Sequence, residues 1–308
     1  MKKFIGSVLA TTLILGGCST MENESKKDTK TETKSVPEEM EASKYVGQGF
    51  QPPAEKDAIE FAKKHKDKIA KRGEQFFMDN FGLKVKATNV VGSGKGVEVF
   101  VHCDDHDIVF NASIPFDKSI IDSDSSLRSE DKGDDMSTLV GTVLSGFEYR
   151  AQKEKYDNLY KFLKENEKKY QYTGFTKEAI NKTQNSGYEN EYFYISTIPY
   201  NLTEYRNYFE PLLNKSNSEF SKEMSNVKKQ LKDKSKVSVT TTLFSKNKNY
   251  TKKSNSENVI KMAEEIKKEK DLPTDIDFSI QFSDNKINTI KPNYSSKDNS
   301  EYGVFDNE

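Results

Sequence analysis

Two short stretches carry the side chains most capable of chemistry in this chain of 308 residues. Cys18 ends an N-terminal segment in which basic residues precede an apolar run that extends to Leu15. Cys103 belongs to the second stretch, His102–Asp107, which holds two imidazoles, one thiol and three carboxylates. The first thiol follows two glycines, so a processing enzyme could reach it. The second stretch contains the side chains that bind zinc in proteins.

The N-terminal stretch has the layout of a signal peptide. Its apolar run is too short to span a membrane, since a spanning helix needs about 20 residues, and its basic start fits a secretory signal. The sequence Leu15-Gly16-Gly17-Cys18 resembles the lipobox of bacterial lipoproteins. This resemblance implies that residues 1–17 are removed and that Cys18 carries an S-diacylglycerol group and an N-acyl chain. It places the protein on the extracytoplasmic face of a Gram-positive-type cell membrane, with lipoprotein-processing enzymes as partners.

Composition narrows the classes of partner. A formal net charge of −1 does not fit general nucleic-acid binding, which requires a basic surface. Residues 18–45 combine mixed charge with few apolar side chains, so they cannot bury enough surface to fold. We therefore expect a disordered tether there. With Cys18 assigned to lipid, Cys103 has no second cysteine for an intramolecular disulfide.

The second stretch lies in a predicted hairpin of strands 96–103 and 107–115. Alternating apolar residues would share one face if the turn near Asp104–Asp107 holds two or four residues, because side chains alternate along a strand. With a two-residue turn, Cys103 and His106 would oppose each other closely enough to share a metal. His102 would lie on the other face. The pattern otherwise predicts a polar hairpin tip beside a buried cysteine, which leaves Cys103 and His106 as the candidate metal ligands.

The remaining periodicity predicts an α+β fold with mostly antiparallel sheets and packed helices, arranged in one body or two small lobes. Helical spacing follows Gln51-Pro52-Pro53 and ends near Gly82, and alternating strands dominate the last third of the chain. The predicted divisions are an N-terminal lobe, a connecting helical segment, a C-terminal lobe and a loose polar tail, at residues 46–135, 136–190, 191–291 and 292–308.

Charge is uneven along the chain. Residues 214–257 hold 11 lysines against 4 acidic residues, which suits an anionic cell-wall polymer or lipid headgroups. A host protein is a further candidate partner. Residues 149–208 are rich in tyrosine, a residue that suits both binding surfaces and the edge of a core.

The sequence as a whole is similar to a staphylococcal family of uncharacterised membrane-anchored lipoproteins, through its lipobox, its Lys/Ser/Glu tether and its charged, tyrosine-rich body. That resemblance implies a cellular address and no particular activity. The leading hypothesis is a non-enzymatic binding or interaction domain without catalytic residues or a cofactor. Two alternatives remain open: a solute-binding lipoprotein of a transporter, and a metal-dependent envelope enzyme that uses His102–Asp107.

Overall fold

The computed structural model describes residues 36–130, 136–232, 237–247, 251–292 and 300–304. The predicted signal peptide and the stretch Leu15–Cys18 that resembles a lipobox lie outside these ranges. The segment Val36–Glu308 forms one compact unit. Within the described ranges, no helix is long and apolar enough to cross a membrane.

Helices and strands alternate along the described part of the chain, which confirms the predicted α+β class. The helices are α1 Lys56–Lys64, α2 Lys66–Phe81, α3 Ser137–Ala151, α4 Lys153–Tyr170, α5 Lys177–Thr183, α6 Leu202–Glu204, α7 Asn217–Gln230 and α8 Lys252–Ile266. The strands are β1 Glu39–Glu41, β2 Val85–Ser93, β3 Gly96–Cys103, β4 Phe110–Phe116, β5 Tyr172–Thr173, β6 Phe193–Ser196, β7 Val237–Thr241, β8 Leu243–Ser245, β9 Ile276–Ser283, β10 Lys286–Asn288 and β11 Ser300–Gly303.

Strands β2, β3 and β4 form an antiparallel sheet. A two-residue turn at Gly94 joins the first pair, and residues 104–109 join the second. This second connection is longer than predicted but also even in number, so the alternation is preserved. Val101 pairs with Ala112 and Cys103 pairs with Phe110, and all four side chains are buried.

Helices α2, α3 and α7 pack with this sheet around the first core. Helix α2 ends at Gly82, whose φ of 65° is the left-handed conformation that glycine adopts most readily. Leu202 of α6, Tyr205 directly after it and Phe220 of α7 are buried in the same core. This packing differs from the predicted division, which assigned residues 191–291 to a separate lobe. The reason is that the apolar face of α7 meets α3 rather than the second sheet.

The larger sheet has the strand order β5-β8-β9-β7-β6, with β11 also paired to β9. Strands β7 and β8 run parallel to β9, and the other pairings are antiparallel. Thr242 interrupts β7 and β8, and its amide donates to the Tyr192 carbonyl at 2.6 Å. Helices α4 and α8 cover this sheet and complete the second core.

Both ends of the described chain are more ordered than predicted. The predicted tether reached residue 45, but β1 pairs with β10 and the Tyr45 hydroxyl donates to the Thr289 carbonyl at 3.0 Å. Ala42 and Tyr45 are fully buried, so two apolar side chains suffice to fix this segment on the body. The predicted loose tail is corrected in the same way, because β11 pairs with β9 and Val304 is buried.

Candidate functional site

Cys103, the first candidate metal ligand, lies in the core. Its side chain is fully buried, and its thiol donates to the Lys84 carbonyl at 3.6 Å. Burial raises the pKa of the Cys103 thiol to about 12, so the reactive thiolate is scarce at neutral pH. These surroundings fit a small apolar side chain better than a nucleophile.

His106, the second candidate, lies on the surface in the connection between β3 and β4. Its backbone is left-handed, with φ of 54°, and its Nε2 atom is 3.8 Å from the Asp105 carboxylate. Because Cys103 pairs with Phe110, the structure does not bring the thiol and the His106 imidazole together. His102 Nδ1 lies 3.0 Å from the Asn111 side-chain oxygen. Among the described residues, no three His, Cys, Asp or Glu side chains form a group that could hold a metal ion.

A different residue stands out in the structure. Glu189 lies in the connection between α5 and β6, which spans the gap between the two sheets. Gly187 exchanges two backbone hydrogen bonds with Asn111 of β4, at 2.8 and 3.0 Å. Glu189 itself forms a bridge with Tyr194 of β6. This segment therefore joins the small sheet to the large one.

The connection is held tightly against α3. The Tyr188 amide donates to Ser145 Oγ at 2.6 Å. Gly187 has φ of 116°, a conformation that other residues rarely adopt, and a Cβ atom there would lie 2.2 Å from Ser145 Oγ. Only glycine therefore allows this close approach, which fixes the position of Glu189 two residues later.

The Glu189 side chain is nine-tenths buried and has no partner in the described part of the chain. The residue is 9% exposed, and no described side chain or backbone group forms a hydrogen bond or ion pair with its carboxyl oxygens. Burial alone raises its pKa to about 8. Glu148 provides a contrast, because it is 3% exposed but accepts from Lys228 Nζ at 3.0 Å and Gln152 Nε2 at 2.9 Å.

Glu189 lies at the wall of a cleft of about 470 Å³, which we name the Phe100 cleft. Four aromatic rings and three prolines contribute to its lining, and polar side chains complete it. The lining residues are Phe50, Pro52, Pro53, Glu98, Phe100, Phe175, Thr183, Gln184, Asn185, Ser186, Glu189, Tyr194, Thr242, Ile290, Lys291 and Pro292.

Several polar side chains of the lining have partners within the protein. Glu98 accepts from Ser113 Oγ at 2.6 Å, and Asn185 donates to Ser113 Oγ at 2.7 Å. Thr242 Oγ1 has no hydrogen-bond partner in the described part of the chain, but it is shielded from solvent. The Glu189 carboxyl group lacks a partner and can form a hydrogen bond with a bound molecule.

On its other side Glu189 lines a smaller space of about 340 Å³, the tyrosine cleft, together with Tyr149, Tyr160, Tyr188 and other residues. The tyrosine hydroxyls there are used internally, since Tyr149 donates to Asp157 at 2.8 Å. The rings of Tyr149 and Tyr188 stack on each other with centroids 4.1 Å apart. This cleft is therefore the more self-contained of the two.

An acid with a raised pKa can do two things in such a place. At neutral pH it is mostly protonated and can donate a hydrogen bond to a ligand. When a cation lies beside it, the ionised form is favoured and the acid becomes a counter-ion. The sequence patterns pointed to Cys103 and His106 and missed Glu189, because nothing in Asn185-Ser186-Gly187-Tyr188-Glu189 marks more than a turn.

The class of protein defined by this arrangement is an α+β protein with an acidic, aromatic-walled cleft. Residues 32–308 match the family described as "Protein of unknown function (DUF1672)", and the chain belongs to that family. A crystal structure at 1.80 Å resolution of a DUF1672 family protein from Staphylococcus aureus subsp. aureus Mu50 is 70% identical to it. That match covers 89% of this chain and 100% of the other, with a TM-score of 0.87. A search of curated proteins found no match.

The comparisons confirm the predicted resemblance to an uncharacterised staphylococcal family. The lipid anchor, the membrane location and the partners remain predictions from the sequence. Of the basic segment, α7 presents Lys222 and Lys229 to solvent, and binding of a wall polymer or host protein there stays a prediction.

Proposed function

We propose that this protein is a membrane-anchored lipoprotein whose folded body binds a small molecule in the Phe100 cleft without transforming it. The observation that supports binding is the Glu189 carboxyl group, which is buried at the cleft wall and unbonded within the described residues. A carboxyl group with so little solvent contact and no partner is poorly hydrated. A bound molecule that forms a hydrogen bond or an ion pair with Glu189 would compensate for the lost hydration.

The size and lining of the cleft support the same proposal. Its volume of about 470 Å³ falls within the range of small-molecule sites. Such sites combine apolar and aromatic walls with a few polar groups that orient the ligand. Phe50 and Phe100 contribute to the walls, with ring centroids 5.3 Å apart, and Glu189 supplies an orienting group.

The anchor is proposed from Leu15-Gly16-Gly17-Cys18. Each buried methylene contributes about 0.8 kcal/mol to membrane binding, and stable attachment requires two acyl chains. A diacylated Cys18 would meet that requirement. The body would then bind its ligand on the extracytoplasmic face of the membrane.

The anchor is tested with a Cys18→Ala variant of the full chain in a Gram-positive host. We expect loss of labelling by an alkynyl fatty acid and loss of the processed, membrane-bound form. Cys103→Ala is the matched control and should be labelled as strongly as wild type, because its thiol is buried. Full labelling of the Cys18→Ala variant would contradict the anchor.

Binding is tested by exposing the purified full-length protein to a small-molecule extract of its own cells and identifying retained compounds by mass spectrometry. A compound should be retained by wild type and by Glu178→Ala, which alters an exposed glutamate on α5. Glu189→Ala should not retain it. Equal retention by all three proteins would contradict the site, and chemical conversion of the retained compound would indicate an enzyme instead.

A further inference from the structure

We propose that the ligand of the Phe100 cleft is a small organic cation, whose ammonium group lies against Glu189 and whose apolar part lies against the aromatic rings. This inference rests on the proposed function and specifies the chemistry of its ligand. It is supported by two features of the site, the charges around Glu189 and the rings beside it, and it predicts a protonation change on binding.

The charges that face Glu189 favour a cation over an anion. In the Phe100 cleft the other charged residues are Glu98 and Lys291, and Lys291 is exposed at the rim. An anion bound there would meet the carboxyl groups of Glu98 and Glu189 and one exposed ammonium group. A cation would be attracted by the two acidic residues and repelled by Lys291 alone. The charges of the cleft therefore favour positive ligands.

The charges on the opposite side of Glu189 also favour a cation. The charged and titratable residues there are His102, Tyr149, Asp157, Tyr160, Lys177, Tyr188 and Glu191. Lys177 is largely exposed and lies 3.7 Å from Glu191, so its charge is already compensated. Asp157 is likewise paired with Lys153 at 2.7 Å. Within the described residues, Glu189 is thus the acid of this group that lacks a counter-ion.

The rings of the cleft suit the body of an organic cation. A cation within about 6 Å of an aromatic ring centroid gains about 0.5–2 kcal/mol from the negative ring face. Phe50 and Phe100 meet edge to face, and Phe50 is the partly exposed ring of the pair. Pro52 and Pro53 add rigid apolar surface to the same wall.

Binding of such a cation would release a proton. In the free protein the Glu189 pKa is about 8, so roughly one molecule in ten carries the ionised form at pH 7. The cation binds that form. Its apparent affinity should therefore rise about tenfold from pH 7 to pH 9 and level off above pH 9.

The experiment is calorimetric titration of the full-length protein, in a non-ionic detergent, with choline and with 3,3-dimethylbutan-1-ol. These two probes have the same shape and differ in a positive nitrogen that replaces a neutral carbon. We expect choline to bind more tightly than about 1 mM at pH 9 and at least about tenfold more tightly than its neutral isostere. 2-Phenylethylamine and 2-phenylethanol form a second pair with a larger apolar part.

Two variants locate the effect. Glu189→Gln keeps the shape of the side chain without its charge, and should weaken choline binding about tenfold at pH 9 and remove the pH dependence. Glu178→Gln makes the same chemical change on the exposed face of α5 and should behave as wild type. His102→Gln should keep the pH dependence, which separates titration of Glu189 from titration of the imidazole.

The outcomes separate this inference from the proposed function. If the neutral isosteres bind as tightly as the cations, or if neither cation binds, the inference fails while a retained neutral or anionic compound would still support binding in the cleft. If Glu189→Gln binds choline as wild type does, the carboxyl group is a hydrogen-bond donor rather than a counter-ion, and the inference fails. If the Phe100 cleft retains no compound of any class, both proposals fail.

Discussion

Two connections that adjoin β4 differ in whether their polar groups have hydrogen-bond partners or contact with solvent. In the loop at 104–109, the Asp105 carboxylate accepts from the Lys84 amide at 2.9 Å, and His106 is exposed to solvent. In the connection after α5, Glu189 is buried and its carboxyl group has no partner within the described ranges. The first loop satisfies its own groups, whereas the second leaves one group for another molecule to satisfy.

The comparison shows that a cluster of reactive residue types does not by itself mark a functional site in this protein. A solvated Asp or His loses little free energy by staying unbound, so a cluster such as His102–Asp107 needs no ligand. A buried acid loses its hydration, and only a hydrogen-bonding or charged partner compensates for that loss. Most buried polar groups in proteins are accordingly hydrogen-bonded. Glu189 is a largely buried acid without a partner among the described residues, and it lines the Phe100 cleft.

The largest expected effect is on the pH dependence of stability. The Glu189 pKa rises from 4.5 in the unfolded chain to about 8 in the fold, so its contribution is complete below pH 4.5 and disappears as pH rises to 8. Between pH 5 and pH 8, wild type should lose on the order of 4 kcal/mol of unfolding free energy more than Glu189→Gln.

Urea unfolding of both proteins across this pH range measures the difference, and groups that titrate in both proteins cancel. Two parallel curves would show that Glu189 is ionised at ordinary pH. They would also remove the contrast between the two connections.

The second effect concerns the placement of Glu189. Gly187→Ala should lower the unfolding free energy by roughly 3 kcal/mol, because its Cβ atom would collide with Ser145 Oγ at a positive φ. Gly94→Ala is the matched control: its φ is also positive, but no atom lies within 4 Å of the new Cβ. It should cost only about 1 kcal/mol. Equal losses in urea unfolding would mean that contact with α3 does not fix the connection.

A smaller effect is expected at Cys103. Cys103→Ala should cost about 1 kcal/mol in unfolding free energy, because it removes one buried heavy atom from a packed core. The wild-type thiol should react with iodoacetamide only after unfolding, since its pKa is raised to about 12. Rapid labelling of the folded protein would show that the Cys103 thiol is reactive in the fold.

The smallest effect is expected at His106. His106→Ala should change the unfolding free energy by less than about 0.5 kcal/mol, as surface substitutions usually do. It should also leave the zinc content of the purified protein unchanged, as measured by plasma mass spectrometry. Loss of one equivalent of bound zinc in this variant would support the metal hypothesis. It would contradict the conclusion that His102–Asp107 needs no ligand.

Much of the fold was predictable because its signals are local. The alternation of β3 and β4 and the stop at Gly82 both depend on residues close in sequence, and the structure confirms both. The placement of α7 in the first core depends on packing between distant helices. The pairing of β11 with β9 likewise joins residues far apart in sequence, which no local pattern reveals.

The candidate site was not predictable for the same reason. Phe50, Phe100, Glu189 and Thr242 come from four separate parts of the chain, and each is ordinary in its own neighbourhood. Glu189 becomes unusual only when two sheets enclose it. By contrast, Cys103 and His106 were candidate ligands because they lie three positions apart in the sequence. The register of the hairpin separates their side chains.

The central claim is that Glu189 is a buried acid that remains protonated near neutral pH. Its most direct test is a carbon NMR titration of the full-length protein labelled at glutamate Cδ, with Glu189→Gln used to assign the signal. We predict a titration midpoint near pH 8 in the free protein, which follows from burial without a partner among the described residues. A midpoint near 4.5, the value of a solvated glutamate, would contradict this account of the site.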